Sequence, residues 1–171
     1  MENQLSQNLI IAEEAYKKKN YLKSYSIYKS IYRKHKLIDI LPRLIDIAFI
    51  SLKQTNTKLN LISKLIILGL NKNDKNKILN ELNYLNLKLL REFKKFSDFE
   101  KVYNSITPEQ RNSIFTEFEY FHYLLETENY FKAEIVLNKI QSANHSFYKI
   151  LDIFFLNKKF FTQIQNSKLD Q

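Results

Sequence analysis

Apolar positions recur at helical spacing along nearly the whole chain. In the first segment, Leu5, Leu9, Ala12 and Tyr16 fall on one face of a helix. Asn, Asp, Ser and Thr stand where such helices should begin. The pattern predicts helices over residues 4–19, 21–35, 39–54, 58–70, 74–95, 107–127, 129–142 and 146–157, with one more beginning near residue 98 and a short last one from residue 160. Residues 166–171 are expected to fray.

Helix ends carry recognisable capping residues. Ser97 with Glu100 has the spacing of a capping box, in which the hydroxyl and the carboxylate each satisfy a free backbone amide. Thr107 with Gln110 is a second box, strengthened by the proline between them, which needs no amide donor at the first helical position. Gly69, the only glycine, is predicted to end the fourth helix as a C-cap.

Composition narrows the fold class. One Gly and two Pro in 171 residues leave little material for tight hairpin turns or barrels, so an all-α fold is predicted. The chain length suits one domain, taken as residues 1–165. The absence of Cys excludes disulfides and thiolate sites. With no segment like a signal peptide and no apolar run of about 18 residues, we expect a cytoplasmic protein without a transmembrane segment.

The net charge of +9 raises the question of a nucleic-acid partner. The cations are 23 Lys and only 4 Arg, and Asn and Ile are also abundant, which is typical of AT-rich coding sequence rather than of a selected phosphate-binding surface. The charge is uneven, because residues 1–106 carry 20 cations and 10 anions whereas residues 107–171 carry 7 and 8. The basic run at Lys17, Lys18 and Lys19 is interpreted either as a solvated rim or as an electropositive end that attracts acidic peptides.

Two segments of the chain resemble each other. Asn20-Tyr21 is followed by Ser24 and then by Tyr28, and Asn129-Tyr130 is followed at the same spacings by Ala133 and Leu137. This pattern resembles the tetratricopeptide repeat, in which a small residue lets the second helix of a hairpin pack closely on the first. Ala12 fits the complementary small position of the first helix, and Phe99 with Val102 forms a weaker third copy.

The resemblance implies an α-solenoid of about four to five stacked antiparallel hairpins in a right-handed superhelix. It covers about half of the chain, because residues 37–96 lack the signature and Phe121 stands where a small residue is expected. An irregular helical bundle is the alternative. The positions at which some family members hold a partner's terminal carboxylate are Leu9 and Glu13 here, so that mode of binding is not expected.

Residue patterns typical of catalysis are few. Glu119 and His122 have the spacing of half a di-metal site, but the motif occurs once, whereas such sites need it twice with two further carboxylates. A single Gly excludes glycine-rich phosphate loops and dinucleotide fingerprints. We therefore expect neither cofactor, nor metal, nor enzymatic activity.

The sequence predicts a non-catalytic adaptor that binds a protein or peptide, with an acidic one favoured by the charge. Aromatic side chains on the first helices of the hairpins, with the Lys17–Lys19 run, are the candidate binding residues: Tyr16, Tyr84, Phe93, Phe118 and His122. Two other functions stay open. One is binding of nucleic acid or an anionic surface through the Lys-rich N-terminal half, and the other is a helper or regulatory role in an enzyme complex.

Overall fold

The computed structural model of the chain describes residues 2–72, 75–142 and 148–169. That part of the chain is helical and contains no strand, which confirms the all-α prediction. Its helices are α1 Glu2–Lys17, α2 Tyr21–His35, α3 Leu41–Ser51, α4 Asn56–Lys72, α5 Asn76–Glu92, α6 Phe96–Ser105, α7 Pro108–Arg111, α8 Ile114–Glu126, α9 Tyr130–Ser142 and α10 Tyr148–Leu169. A short 3-10 turn, Ile38–Ile40, precedes α3.

The contacts divide the chain into two compact units, unit 1 (Met1–Lys94) and unit 2 (Lys95–Gln171). In unit 1 each helix packs on the next from α1 to α5, and α3 also contacts α5. In unit 2, α7 packs on α8, α8 on α9 and α9 on α10. Apart from α3 with α5, these contacts join helices that follow one another in the chain. One continuous repeat domain over residues 1–165 stays a prediction.

The core of unit 1 is made mainly of Leu and Ile from α3, α4 and α5. Its fully buried members include Leu41, Ile45, Ile47, Ile62, Ile66, Leu82 and Leu89. Gly69 lies inside α4 and is not the predicted C-cap. A Cβ built there would come 2.7 Å from Leu82 Cδ1, so the missing side chain lets the Leu82 side chain approach α4 closely.

The capping predictions had mixed outcomes. The Thr107 box is confirmed, since its hydroxyl accepts from the Gln110 amide while the Gln110 side chain accepts from the Thr107 amide. The Ser97 box is wrong, because α6 begins at Phe96 and no side chain caps it.

Three of the predicted helices show where the bounds differ. The helix over residues 39–54 begins at Leu41, after the 3-10 turn, and Pro42 lies in its first turn, where no amide donor is needed. The helix over residues 107–127 is divided into α7 and α8 at Asn112 and Ser113. The break near residue 158 is absent, because α10 runs unbroken to Leu169, beyond the predicted fraying point. The predicted helix starts at residues 74 and 146 lie outside the described residues.

Two hairpins close with the same backbone turn. After α1 the amide of Asn20 donates to the Ala15 carbonyl at 2.8 Å, and after α8 the amide of Asn129 donates to Leu124 at 2.8 Å. The residue before each Asn is left-handed, Lys19 with φ 58° and Glu128 with φ 59°. Each is a Schellman C-cap without the usual glycine.

The asparagines begin the following helices in the same way. Oδ1 of Asn20 accepts from the Lys23 amide at 3.3 Å, and Oδ1 of Asn129 accepts from the Lys132 amide at 3.3 Å. The two asparagines therefore begin α2 and α9 as the sequence predicts.

A third left-handed residue, Lys94 with φ 53°, precedes α6. The amide of Phe99 donates to the Lys95 carbonyl at 2.9 Å, as the amides of Ser24 and Ala133 donate to Asn20 and Asn129. Phe99 therefore stands in register with Ser24 and Ala133. Phe96, and not Phe99 as the sequence suggested, has the position of Tyr21.

Candidate functional site

The predicted packing residues of the first hairpin lie in its interior. Ala12 and Ser24 are fully buried, and Oγ of Ser24 donates to the Ala12 carbonyl at 2.9 Å. Tyr28 is buried beside them, whereas Tyr21 is half-buried with its ring edge-on to Tyr16 at 5.5 Å. These side chains hold α1 on α2 and are not available to a partner.

In unit 2 most of the predicted packing residues also face inward. Phe99, Ala133 and Leu137 are buried, while Val102 and Tyr130 are half-buried. The hydroxyl of Tyr130 lies 2.6 Å from Oγ1 of Thr162 and so connects α9 with α10.

Glu13 is bonded within unit 1. Its carboxylate accepts from Nε and Nη2 of Arg43 at 2.9 and 2.7 Å, and from the Tyr28 hydroxyl. The hydrogen bonds from Arg43 hold the pKa of the Glu13 carboxyl below its ordinary value. The same guanidinium lies 3.8 Å from the centre of the Tyr16 ring. This network joins α1, α2 and α3, and one face of Tyr16 is occupied by it.

Several candidate binding residues of unit 1 also have a structural place. Tyr84 and Phe93 pack against the unit 1 core and are half-buried. Lys17, Lys18 and Lys19 are exposed at the end of α1. Among the aromatic candidates of unit 1, none lies in a shared exposed surface within the described residues.

A ladder of stacked rings joins α6 to α8 in unit 2. The rings of Phe99 and Tyr123 stack at 4.4 Å, and those of Tyr103 and Tyr120 at 4.0 Å. Tyr123 donates its hydroxyl to Oε1 of Glu100 at 2.6 Å. Burial is the main cause that raises the pKa of both Tyr103 and Tyr123 to about 12. These phenols stay protonated at physiological pH and serve as packing groups.

The remaining aromatic candidates, Phe118 and His122, lie beside α10. Their rings are 4.5 Å apart on α8, and the His122 ring is 6.2 Å from that of Phe154. Phe115, one turn before Phe118, is 60% exposed. Ile150, one turn before Phe154, is 53% exposed. The two helices thus present apolar side chains towards one surface.

We call this set the α8–α10 surface, and its members are Phe115, Phe118, His122, Ile150, Ile153 and Phe154. Phe118 and His122 are half-buried, whereas Ile153 and Phe154 are 61% and 56% exposed. Phe121, fully buried, supports His122 from below at 5.7 Å. A contiguous apolar surface built on two helices is typical of a protein-binding site.

Sequence reasoning identified Phe118 and His122 but missed the α10 part of this surface. Leu151 and Phe155 face inward and are buried. Ile150, Ile153 and Phe154 form a second apolar stripe beside them, at helical spacing. A helix with apolar residues on two faces indicates more apolar surface than one neighbour can cover. The division of the segment into two predicted helices obscured that signal.

The acidic residues of α8 serve packing. Glu117 is buried and pairs with Nζ of Lys139, which also donates to Oδ1 of Asn112 at 2.9 Å. Glu119 is buried as well. Among the described residues, no three potential metal ligands come together. None of the described helices is long and apolar enough to cross a membrane.

No family model matches the chain, and no curated protein or solved structure shows significant similarity to it. The functional argument therefore rests on the residues themselves.

Proposed function

We propose that this protein is a non-catalytic interaction module that binds an apolar segment of a partner protein at the α8–α10 surface. The observation that carries the proposal is the contact of His122 on α8 with Phe154 on α10, 6.2 Å between ring centres, which joins the partly exposed apolar stripe of α8 to the exposed one of α10. Burying such aromatic side chains is the usual source of binding energy in protein interfaces.

The composition of the surface indicates what it would bind. His122 is the only one of its six members with a titratable side chain, so a charged ligand would lose solvation without gaining an ion pair within it. An amphipathic helix or extended peptide with large apolar side chains would instead bury Phe154 and Ile150. This supports an apolar partner segment over the acidic one that the net charge favoured.

We also propose that the chain is a divergent helical-repeat protein of tetratricopeptide type. Phe96 and Tyr130, the residues that open α6 and α9, are 34 residues apart, which is the period of that repeat. In unit 2, Phe121 and Ala133 stand in the positions that Ala12 and Ser24 have in the first hairpin, and all four residues are fully buried. Phe99, which is in register with Ser24 and Ala133, is fully buried as well. Such repeats stack to expose extended binding surfaces.

The binding proposal is tested with one pair of matched variants, Phe154→Asp and Leu156→Asp. Both side chains are 56% exposed on α10, but they point in nearly opposite directions, about 200° apart around the helix. Each variant places the same charge at the same exposure on the same helix. The two variants should therefore differ in what the α8–α10 surface can bind and in the Phe154 contact with His122, and urea unfolding shows whether both stay folded.

Peptides that bind the wild-type protein are selected from a random displayed library, and their Kd values are measured for the three proteins. We expect the selection to enrich peptides with apolar residues at helical spacing. These peptides should bind Leu156→Asp as tightly as wild type and Phe154→Asp about 30-fold more weakly. That factor corresponds to a loss of about 2 kcal/mol at a central interface residue. A selection that enriches no peptide, or peptides that bind Phe154→Asp as tightly as wild type, would refute the proposal.

A further inference from the structure

A second surface, in unit 1, has the opposite chemistry. Ser26, Lys29, Ser30, Arg33 and Lys34 line a shallow groove along α2. The groove continues beside Asn8 of α1 and His35 at the end of α2. Arg33, Lys34 and both serines are exposed, and Lys29 is half-buried with its ammonium 5.4 Å from the Tyr25 ring centre. We call Ser26, Lys29, Ser30, Arg33 and Lys34 the α2 stripe.

The positive charge of the α2 stripe has little compensation nearby. Residues 15–38 contain eight cations and no Asp or Glu. Of the flanking acids, Glu13 is engaged by Arg43, and Asp39 pairs with Lys75 at 2.5 Å. Glu14 is exposed on α1, and no ion pair joins it to the groove residues within the described part of the chain. Among side chains that the structure describes, none forms an ion pair with Arg33 or Lys34. The stripe is therefore positioned to attract an anion.

Arginine distinguishes this stripe from the Lys-rich background. The chain has 4 Arg against 23 Lys. Arg43 binds Glu13 in a bidentate pair, and Arg111 donates to the carbonyls of Ile106 and Asn104 at 3.0 Å each. Arg91 also has an interaction of its own. Arg33 is exposed on α2, and within the described residues it makes no such hydrogen bond or ion pair, so its guanidinium is available to a ligand.

The other side chains of the stripe, and Asn8 beside it, are also hydrogen-bond donors. Serine hydroxyls, the Asn8 amide, lysine and arginine are the side chains that commonly contact phosphate oxygens of nucleic acids. Ser26, Ser30 and Lys34 follow one line down the helix, about 12 Å from Ser26 to Lys34 at helical rise. That length exceeds one phosphate and suits a ligand with phosphates in a row.

We propose that the α2 stripe binds the sugar-phosphate backbone of nucleic acid without reading its sequence. Lys29, Arg33 and Lys34 would contact phosphates, while Ser26 and Ser30 donate to their oxygens. The site belongs to unit 1 and shares no residue with the α8–α10 surface, so the two proposals succeed or fail separately.

The test compares two triple variants that remove the same charge from unit 1. One is Lys29→Ala with Arg33→Ala and Lys34→Ala, and the control is Lys53→Ala with Lys64→Ala and Lys77→Ala, three exposed lysines on other segments. Binding of a fluorescent single-stranded RNA of about 20 nucleotides is followed by anisotropy between about 50 and 200 mM salt. Far-UV circular dichroism checks that both variants stay folded.

We expect the wild-type protein to bind with an affinity that falls steeply with salt. The α2 variant should bind at least tenfold more weakly at low salt, and its log–log salt slope should be smaller by about 2, since each phosphate contact on a single strand contributes about 0.7. The control variant should lose much less affinity for RNA than the α2 variant.

Three results would overturn the proposal. The first is no RNA binding at the lowest salt. The second is an equal loss in both triple variants, which would mean diffuse charge rather than a site. The third is competition by polyglutamate or anionic lipid vesicles that matches RNA at equal charge, which would assign the stripe to acidic proteins or membrane surfaces instead.

Discussion

The contact between Ser24 and Ala12 gives a direct measure of how closely α1 and α2 pack. Both residues are fully buried, and the Ser24 hydroxyl donates to the Ala12 carbonyl at 2.9 Å. Two substitutions separate the hydrogen bond from the lack of space. Ser24→Ala removes the donor alone, whereas Ser24→Leu also adds volume where α1 leaves none.

The expected magnitudes differ. A hydrogen bond of this kind contributes about 1 kcal/mol net, and the higher helix propensity of Ala recovers a few tenths, so Ser24→Ala should lower the free energy of unfolding by about 0.5 kcal/mol. In Ser24→Leu the overpacking adds about 1–3 kcal/mol to the loss of the hydrogen bond. Ser26→Leu, an exposed position on the same helix, should stay within about 0.5 kcal/mol of wild type.

Urea unfolding followed by circular dichroism gives the change in the free energy of unfolding for each of the three variants. Hydrogen exchange with mass spectrometry shows in which helices stability is lost. For Ser24→Leu, exchange should accelerate in α1 and α2 while unit 2 stays protected. If Ser24→Leu proved as stable as Ser26→Leu, the close packing of α1 on α2 would be refuted.

Two further predictions concern pH. The pKa of Glu13 is lowered in the folded protein, mainly by Arg43, so its contribution to stability is present above the ordinary value of 4.5 and is lost as the pH falls through the lower folded value. In urea unfolding, the difference in stability between wild type and Glu13→Gln, about 1 kcal/mol or less for this partly exposed pair, should shrink at acid pH. A difference that stays constant with pH would contradict the network. The pKa of Tyr103 is raised from 10.0 to about 12, so Tyr103 ionises first in the unfolded chain and stability falls as the pH rises above 10.0. In an alkaline titration followed by phenolate absorbance, Tyr103→Phe should lack one of the late-ionising tyrosines of the wild type. The loss of an early-ionising tyrosine instead would contradict the burial of Tyr103.

Local sequence predicted helix ends well where one side chain satisfies the backbone within a few residues. Asn20 and the Thr107 box are such cases, and both form. Prediction failed where tertiary contacts decide the outcome. Ser97 had the right spacing for a capping box, but α6 starts one residue earlier with Phe96, whose ring packs on Tyr123 at 5.7 Å. Gly69 lies inside α4 rather than at its end, and Leu82 occupies the space that a side chain there would need.

Only the α8 part of the α8–α10 surface could be predicted from the sequence, for a related reason. Phe118 and His122 share a face of α8, which periodicity along one helix can show. Their meeting with Phe154 depends on how α8, α9 and α10 pack, and periodicity along one helix carries no information on that. The α2 stripe was visible as charge, but the distinction between Arg33 and the bonded Arg43 required the tertiary contacts.

Three turns of the chain, after α1, α5 and α8, contain a left-handed residue. A left-handed residue fixes the start of the next helix at Lys19, Lys94 and Glu128, yet in none of them is it the glycine that would mark the turn. At the packing positions of Ala12 and Ser24 burial is kept while size is not, because Phe121 and Ala133 stand there in the hairpin of α8 and α9. A pattern defined by small residues matches the first pair fully and the second only at Ala133. If the chain is a tetratricopeptide-type solenoid, its repeats are conserved in backbone turn and burial rather than in signature residues, and the third copy should be aligned on Phe96 rather than on Phe99.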